Sequence, residues 1–158
     1  MDRKEIGLLA VCLVICFGAA AIGSLATYPN ISSWYSTLAK PSFSPPNWVF
    51  GPVWTLLYFL MAVSLFLVVR KGMNAKGVFP AAANFGVQLV LNVLWSVVFF
   101  GMHMPLAAFI VIAALWLSIL STIKDFNAIS RNAALLLVPY ILWVSFAAFL
   151  NLTVAMIN

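Results

Sequence analysis

The chain has 158 residues, of which 65% are hydrophobic and 7% charged, against roughly 45–50% and 25% in an ordinary soluble domain. Eight Lys/Arg face three Asp/Glu, a formal net charge of +5, yet no basic run is long enough to track a phosphate backbone. This composition excludes a soluble globular domain, a disordered chain and a nucleic-acid binder. It leaves an integral membrane protein.

A helical span needs about 20 mostly apolar residues to cross a hydrocarbon core of about 30 Å. Five stretches qualify: residues 6–28, 48–69, 79–101, 105–123 and 131–156. They are too long and too uniformly apolar for barrel strands, so the expected fold is all-α. That fold is a single domain, residues 1–158, built as a bundle of five transmembrane helices with a long structured loop between helices 1 and 2.

In chain order, the first span starts on a charged segment, Met1 to Glu5. Its apolar run, Ile6 to Ala26, is longer than the 7–15 residues of a signal-peptide core and reads as a retained span. Pro29-Asn30 is expected to close it. Loop 1 follows, about residues 29–47. Ser32 or Ser33 is placed to cap a short helix that Pro41 would stop. Pro45-Pro46 makes a stiff approach to the second span. Such a loop reads either as a lid over a site or as an interfacial belt anchored by Trp34, Tyr35 and Trp48. Arg70-Lys71-Gly72 and Lys76-Gly77 bound loop 2. Pro80 suits the first turn of the third helix. Gly101 and Pro105 make a tight third turn, and Lys124, Asp125 and Asn127 form loop 4. Ser130 is an expected N-cap for the last helix. Pro52 reads as a neutral first-turn proline, whereas Pro139 can kink its span.

Arg3, Lys4, Arg70, Lys71, Lys76, Lys124 and Arg131 fall on one side of a five-span topology, and Lys40 alone on the other. The positive-inside rule then puts the N-terminus, loop 2 and loop 4 in the cytoplasm, with loop 1 and the C-terminus outside.

No Asp, Glu, Lys or Arg lies inside a predicted span, which argues against a proton-driven pump or antiporter. Paired-carboxylate catalysis has no members in place. The one histidine, His103, sits in a short loop and makes neither a catalytic triad nor a buried haem ligand, and no metal site is expected. Cys12 and Cys16 are four apart on one helical face and read as small packing residues.

What remains inside the spans is amides, hydroxyls and indoles. Asn84, Gln88, Asn92 and Ser96 repeat every four residues on span 3, continued by Trp95 and Phe99. An amide stripe must face the bundle interior, as helix-to-helix glue or as a lined pocket. Trp54, Tyr58 and Met61 share a face of span 2. Tyr140, Trp143, Ala147 and Asn151 share a face of span 5. If these faces meet, they enclose an aromatic-walled cavity, with Ala147 leaving room for a flat apolar ligand. Plain aromatic packing is the alternative. On span 3, Gly86 lies about 200° from Gln88. Ala82 and Gly86, continued by Val90 and Val93, offer a small-residue face suited to a homodimer or to packing within the monomer.

The string Trp34-Tyr35-x-x-Leu38-x-Lys40-Pro41-x-Phe43-x-Pro45-Pro46-x-Trp48-x-Phe50-Gly51-Pro52-x-Trp54-Thr55-x-x-Tyr58 resembles the signature of the translocator protein (TspO/MBR) family, the tryptophan-rich sensory proteins. Gln88-x-x-Leu91-Asn92-x-x-Trp95 resembles its second motif. Pro139-Tyr140-x-x-Trp143-x-x-Phe146-Ala147-x-x-Leu150-Asn151 resembles its third. The resemblance implies a dimeric five-helix receptor in a bacterial cell membrane. It would bind porphyrins such as protoporphyrin IX, or benzodiazepine-type small molecules, between helices 2, 3 and 5 under loop 1. On matching positions it implies ligand contacts from Tyr35, Phe50, Trp54, Tyr58, Gln88, Asn92, Trp143 and Ala147. The dimer it implies would use the small-residue face of Ala82, Gly86 and Val90 read above from spacing. No covalent cofactor is implied; the porphyrin is ligand. Two alternatives accompany this reading. One is a light- and oxygen-dependent porphyrin-degrading enzyme acting through Trp54 and Trp143; the other is a tetrapyrrole or small-molecule transporter. Ser42 stands where some bacterial relatives carry Trp. Leu150 to Asn158 lacks the Tyr and Lys/Arg of the proposed cholesterol motif, itself a weak pattern.

Overall fold

The computed structural model describes residues 2–158. The helices, in chain order, are α1 (Arg3–Ile31), α2 (Trp34–Thr37), α3 (Asn47–Val69), α4 (Val78–Ser96), α5 (Pro105–Ile129), α6 (Arg131–Leu136) and α7 (Val138–Ile157). A wide π-turn, Val97–Gly101, extends α4. Among the described residues, five helical segments are long and apolar enough to cross a membrane, α6 and α7 together forming the fifth. The expected all-α, five-span bundle is the observed one.

Several boundaries differ from the sequence reading, each for a local reason. Asp2 caps α1 by accepting from the Glu5 N–H at 2.8 Å, satisfying one of the orphan donors at a helix start. Helix α1 runs through Pro29 to Ile31 instead of stopping there. Proline deprives only the carbonyl four residues back of its donor, and here that residue, Leu25, lies on the exposed surface. Pro52 is not in the first turn but inside α3, whose first residue is Asn47. Helix α2 has four residues and stops well before Pro41. Its Ser33 cap makes no side-chain hydrogen bond, because Ser33 Oγ donates to Pro29 O at 2.8 Å. Lys124, Asp125 and Asn127 lie on the last turns of α5, not in a loop. The Asp125 carboxylate accepts from Asn84 Nδ2 at 2.8 Å, so α4 holds that stretch against its flank. Ser130 alone makes the corner, and its Oγ accepts from the Ala133 N–H at 3.4 Å. The fifth span breaks at Leu137, where the backbone tightens to a Leu137 N–H to Ala134 O bond of 3.1 Å. Pro139 two residues later cannot donate, so the kink follows.

The two ends of the bundle differ in charge. Glu5 and Arg70 approach to 3.9 Å at the surface, joining the N-terminus to loop 2. An exposed pair of this kind contributes little stability. The half of the bundle nearest this end is filled. Met61, Ala62, Val68, Leu115, Ile119 and Ala133 have no exposed surface. The Phe85 and Phe126 rings stack at 5.8 Å. Ser64 Oγ donates to Ala133 O at 2.7 Å, fixing α3 to α6.

Candidate functional site

Two amides build the middle of the bundle. The Tyr58 hydroxyl donates to Asn92 Oδ1 at 2.7 Å. Asn92 Nδ2 donates to the Tyr140 hydroxyl oxygen, also at 2.7 Å. One side chain thus ties α3, α4 and α7. A turn away, Trp95 Nε1 donates to Asn151 Oδ1 at 3.0 Å, and Asn151 Nδ2 donates to Pro105 O at 2.7 Å. Buried amides bonded on both edges hold helices in a fixed register where hydrophobic driving force between helices is absent. The amides therefore serve as glue here, and the lined pocket lies above them.

Between this floor and loop 1 is a hollow of about 320 Å³. Phe50, Trp54 and Tyr58 from α3, Asn92, Trp95 and Phe99 from the α4 segment, and Ala147 and Asn151 from α7 form three of its walls. The rings stand at aromatic contact distances: Trp54 to Tyr58 5.8 Å, Trp54 to Trp95 6.3 Å and Trp95 to Phe99 5.7 Å. The π-turn at Val97–Gly101 aims Phe99 and Phe100 both inward, their rings 4.8 Å apart. Wide turns of this type are over-represented at functional sites.

Loop 1 caps the hollow. Tyr35 projects into it from α2 with 4% of its surface exposed, against Phe99 and Phe100. Burial pushes the Tyr35 phenol above its ordinary pKa, so the cap presents a neutral hydroxyl. Lys40 Nζ lies 4.5 Å from the Tyr35 ring centre. The loop is fastened at three points. Trp34 stacks on His103 at 4.4 Å, and His103 Nε2 lies 3.0 Å from Asn30 Oδ1. Asn158 clamps the Ala39 backbone, accepting from its N–H at 2.9 Å and donating to its carbonyl at 3.1 Å. Phe43 stacks on Phe149 at 5.2 Å. Loop 1 therefore covers the hollow. Only Trp48, 75% exposed, fits the belt alternative.

The structure brings Tyr35, Phe50, Trp54, Tyr58, Asn92 and Ala147 around one hollow. It leaves two expected contacts outside. Gln88 is buried with neither amide atom hydrogen-bonded. It is four residues, about 6 Å, deeper along the helix than Asn92, on the closed side of the amide floor. Trp143 stands behind Phe50, edge-on to it at 6.0 Å. The sequence reading also missed a wall: Phe17, Ala20, Gly23, Ser24, Thr27, Tyr28 and Ile31 of α1 complete the lining. The signal was present, since Ala20, Gly23, Ser24 and Thr27 follow i, i+3, i+4 and i+7 spacing on one face. An ideal Cβ on Gly23 would lie 3.4 Å from Ser96 Oγ, which marks how closely α1 approaches α4 there. The small-residue face of α4 lies on the outside of the bundle. Val90 is 67% exposed, Ala82 and Gly86 are half-buried, and Gly86 has open space beside its Cα.

The TspO/MBR family model matches residues 10–157. The chain is 44% identical over 157 residues to the tryptophan-rich protein TspO of Chlorobaculum tepidum, covering 99% of each. It is 41% identical over 150 residues to the tryptophan-rich protein TspO of Archaeoglobus fulgidus, covering 94% of each. It is 36% identical over 132 residues to the human translocator protein, covering 82% of this chain and 78% of that one.

Proposed function

We propose, for a chain that belongs to the TspO/MBR family, that the capped hollow is a receptor site for flat, mainly apolar tetrapyrroles, with protoporphyrin IX as its test ligand. The observation that carries this reading is the hollow itself. Indole, phenol and phenyl rings from α2, α3 and the α4 segment face one space, and its volume falls in the range of about 300–1,000 Å³ typical of small-molecule sites. Tyr58 and Asn92 spend their mutual hydrogen bond on the floor, and each keeps an acceptor lone pair for a ligand N–H. Binding is apolar contact with rings plus one or two such bonds, and the signal is occupancy. Benzodiazepine-type molecules would use the same space.

In the membrane, the charged end carrying Arg3, Lys4, Arg70, Lys71, Lys76, Lys124 and Arg131 faces the cytoplasm of a bacterial cell, and loop 1 and Asn158 face outward. A second copy packs on the α4 face through Ala82, Gly86 and Val90. An adjoining apolar groove made by Gly18 and Ile22 of α1 and Val90 and Val93 of α4 supports that homodimer.

The test is a difference spectrum and tryptophan quenching with protoporphyrin IX, in the dark, on the protein in vesicles. Saturable quenching is expected in the wild type. In Ala147→Phe, whose ring would occupy the hollow, affinity should fall by about a hundredfold, close to 2.7 kcal/mol. Equal affinities would move the site elsewhere. A second reading, light- and oxygen-dependent porphyrin breakdown, is favoured only by Trp54, whose ring faces the hollow; Trp143 is screened by Phe50. Illuminated turnover undiminished in Trp54→Phe would dismiss it.

A further inference from the structure

The walls of the hollow are not equally closed. From the α4 segment and α7, every lining residue is buried or half-buried: Asn92, Trp95, Ser96 and Phe99, with Phe100 half-buried, then Ala147, Leu150, Asn151 and Val154. The lid residue Tyr35 is buried as well. All the exposed lining residues belong to two helices, Phe17, Ser24 and Tyr28 on α1 and Asn47, Gly51 and Thr55 on α3. The hollow therefore has one open side, between α1 and α3. Thr55 lies eight residues from the start of α3 and Ser24 seven from the end of α1. At 1.5 Å per residue Thr55 and Ser24 lie about 10–12 Å from the loop 1 ends of these helices, and Phe17, the deepest exposed lining residue, about 21 Å, so the opening runs from the loop 1 end to about the middle of the hydrocarbon layer.

We infer that the ligand reaches the hollow sideways from the lipid, through a mouth whose lips are Phe17, Ser24 and Tyr28 of α1 and Gly51 and Thr55 of α3, and not past loop 1. This rests on the receptor reading above. Between the Phe17 and Tyr28 rings the lips are small, Ser24, Gly51 and Thr55, and their hydroxyls are not costly in lipid. Ser24 Oγ donates to Ala21 O at 2.7 Å and Thr55 Oγ1 to Gly51 O at 2.9 Å, so neither hydroxyl proton is left unpaired. The lid, by contrast, is held by the Asn158 clamp, the Trp34–His103 stack and the Phe43–Phe149 stack. An apolar ring system partitions into the bilayer before it meets the protein, so the mouth opens on the phase that holds the ligand. The groove proposed for the second copy lies about 120° around α1 from Phe17, Ser24 and Tyr28, and a dimer there leaves the mouth free.

Gly51 has nothing within 4 Å of where a Cβ would stand, so Gly51→Phe adds a stopper without strain. Thr55→Phe is a second. Both, with Asn158→Ala, are reconstituted in phosphatidylcholine vesicles and mixed with vesicles carrying protoporphyrin IX, and quenching is followed by stopped flow. In the lip variants, association and dissociation should slow together, each by about tenfold. Asn158→Ala, which loosens the lid, should leave both rates within about twofold of wild type. Wild-type rates in both lip variants, with faster association in Asn158→Ala, would overturn the mouth and place the route under loop 1. Loss of equilibrium quenching in both lip variants, without slowing, would also overturn it, because the lips would then be part of the site. Absence of quenching in the wild type would remove the receptor reading itself, and the mouth with it.

Discussion

The two halves of the bundle use similar residues to opposite ends. Toward the charged end, Met61, Ala62, Leu115, Ile119, Phe85 and Phe126 are buried in the interior. Toward loop 1, Trp54, Trp95, Phe99 and Tyr35 surround empty space. Hydrophobicity does not separate them. Shape does: aliphatic chains have several rotamers and interdigitate, whereas flat rings braced against one another leave a gap where Gly23 and Ala147 supply no bulk. The boundary is the Tyr58–Asn92–Tyr140 knot. A site in a membrane bundle is thus made by withholding volume on one side of a polar floor.

The same small-to-large change should separate the halves most sharply. Ala62 has no exposed surface and does not line the hollow, so Ala62→Phe should cost the upper end of the overpacking range, about 3 kcal/mol, read as a lowered Tm in detergent. Ala147→Phe should leave Tm nearly unchanged and lose ligand instead; a Tm drop equal to that of Ala62→Phe would show that the hollow is not space the fold tolerates. Next in size is the floor. Asn92→Ala strands the hydroxyls of Tyr58 and of fully buried Tyr140, and should cost about 2 kcal/mol, with weaker quenching besides. If Tm and affinity both hold, the knot is not the boundary. Trp143→Phe should change affinity by less than about threefold, because Phe50 stands between it and the ligand. A tenfold loss would place Trp143 in the wall. The last test concerns Gln88, whose amide finds no partner below the floor. Gln88→Leu should be neutral or raise stability by up to about 1 kcal/mol, and a clear loss of Tm would reveal a partner such as a trapped water.

How much of this was legible in sequence depended on what periodicity encodes. Span number, the interior faces of α3, α4 and α7, and the family followed from spacing and motif. Helical spacing gives azimuth, so Asn92 and Ala147 were legible as residues facing the bundle interior. It gives no depth relative to a neighbour, so Gln88 was assigned to a pocket that ends one turn above it. It also cannot show which of two adjacent rings stands in front, and Trp143, expected among the ligand contacts, lies outside the lining beside Phe50. The α1 wall was missed because the small residues Ala20, Gly23, Ser24 and Thr27 read as generic packing. The run from Lys124 to Asn127 looked like a loop by charge, but Asp125 was paired with Asn84 across the bundle, a contact no local window contains.

The π-turn at Val97–Gly101 acts as a phase adjuster. Each residue of an ordinary helix advances the azimuth by about 100°, and the Met102 N–H to Val97 O bond, at 2.8 Å, accommodates one residue more than that rhythm allows. Trp95 before it and His103 after it can then both keep their bearings, one toward Asn151 and the other beneath Trp34. Excising a single residue from this segment would swing everything downstream out of step with loop 1 while changing no neighbouring group's chemistry, so the alignment of the hollow with its cover is stored in a count of atoms along the backbone.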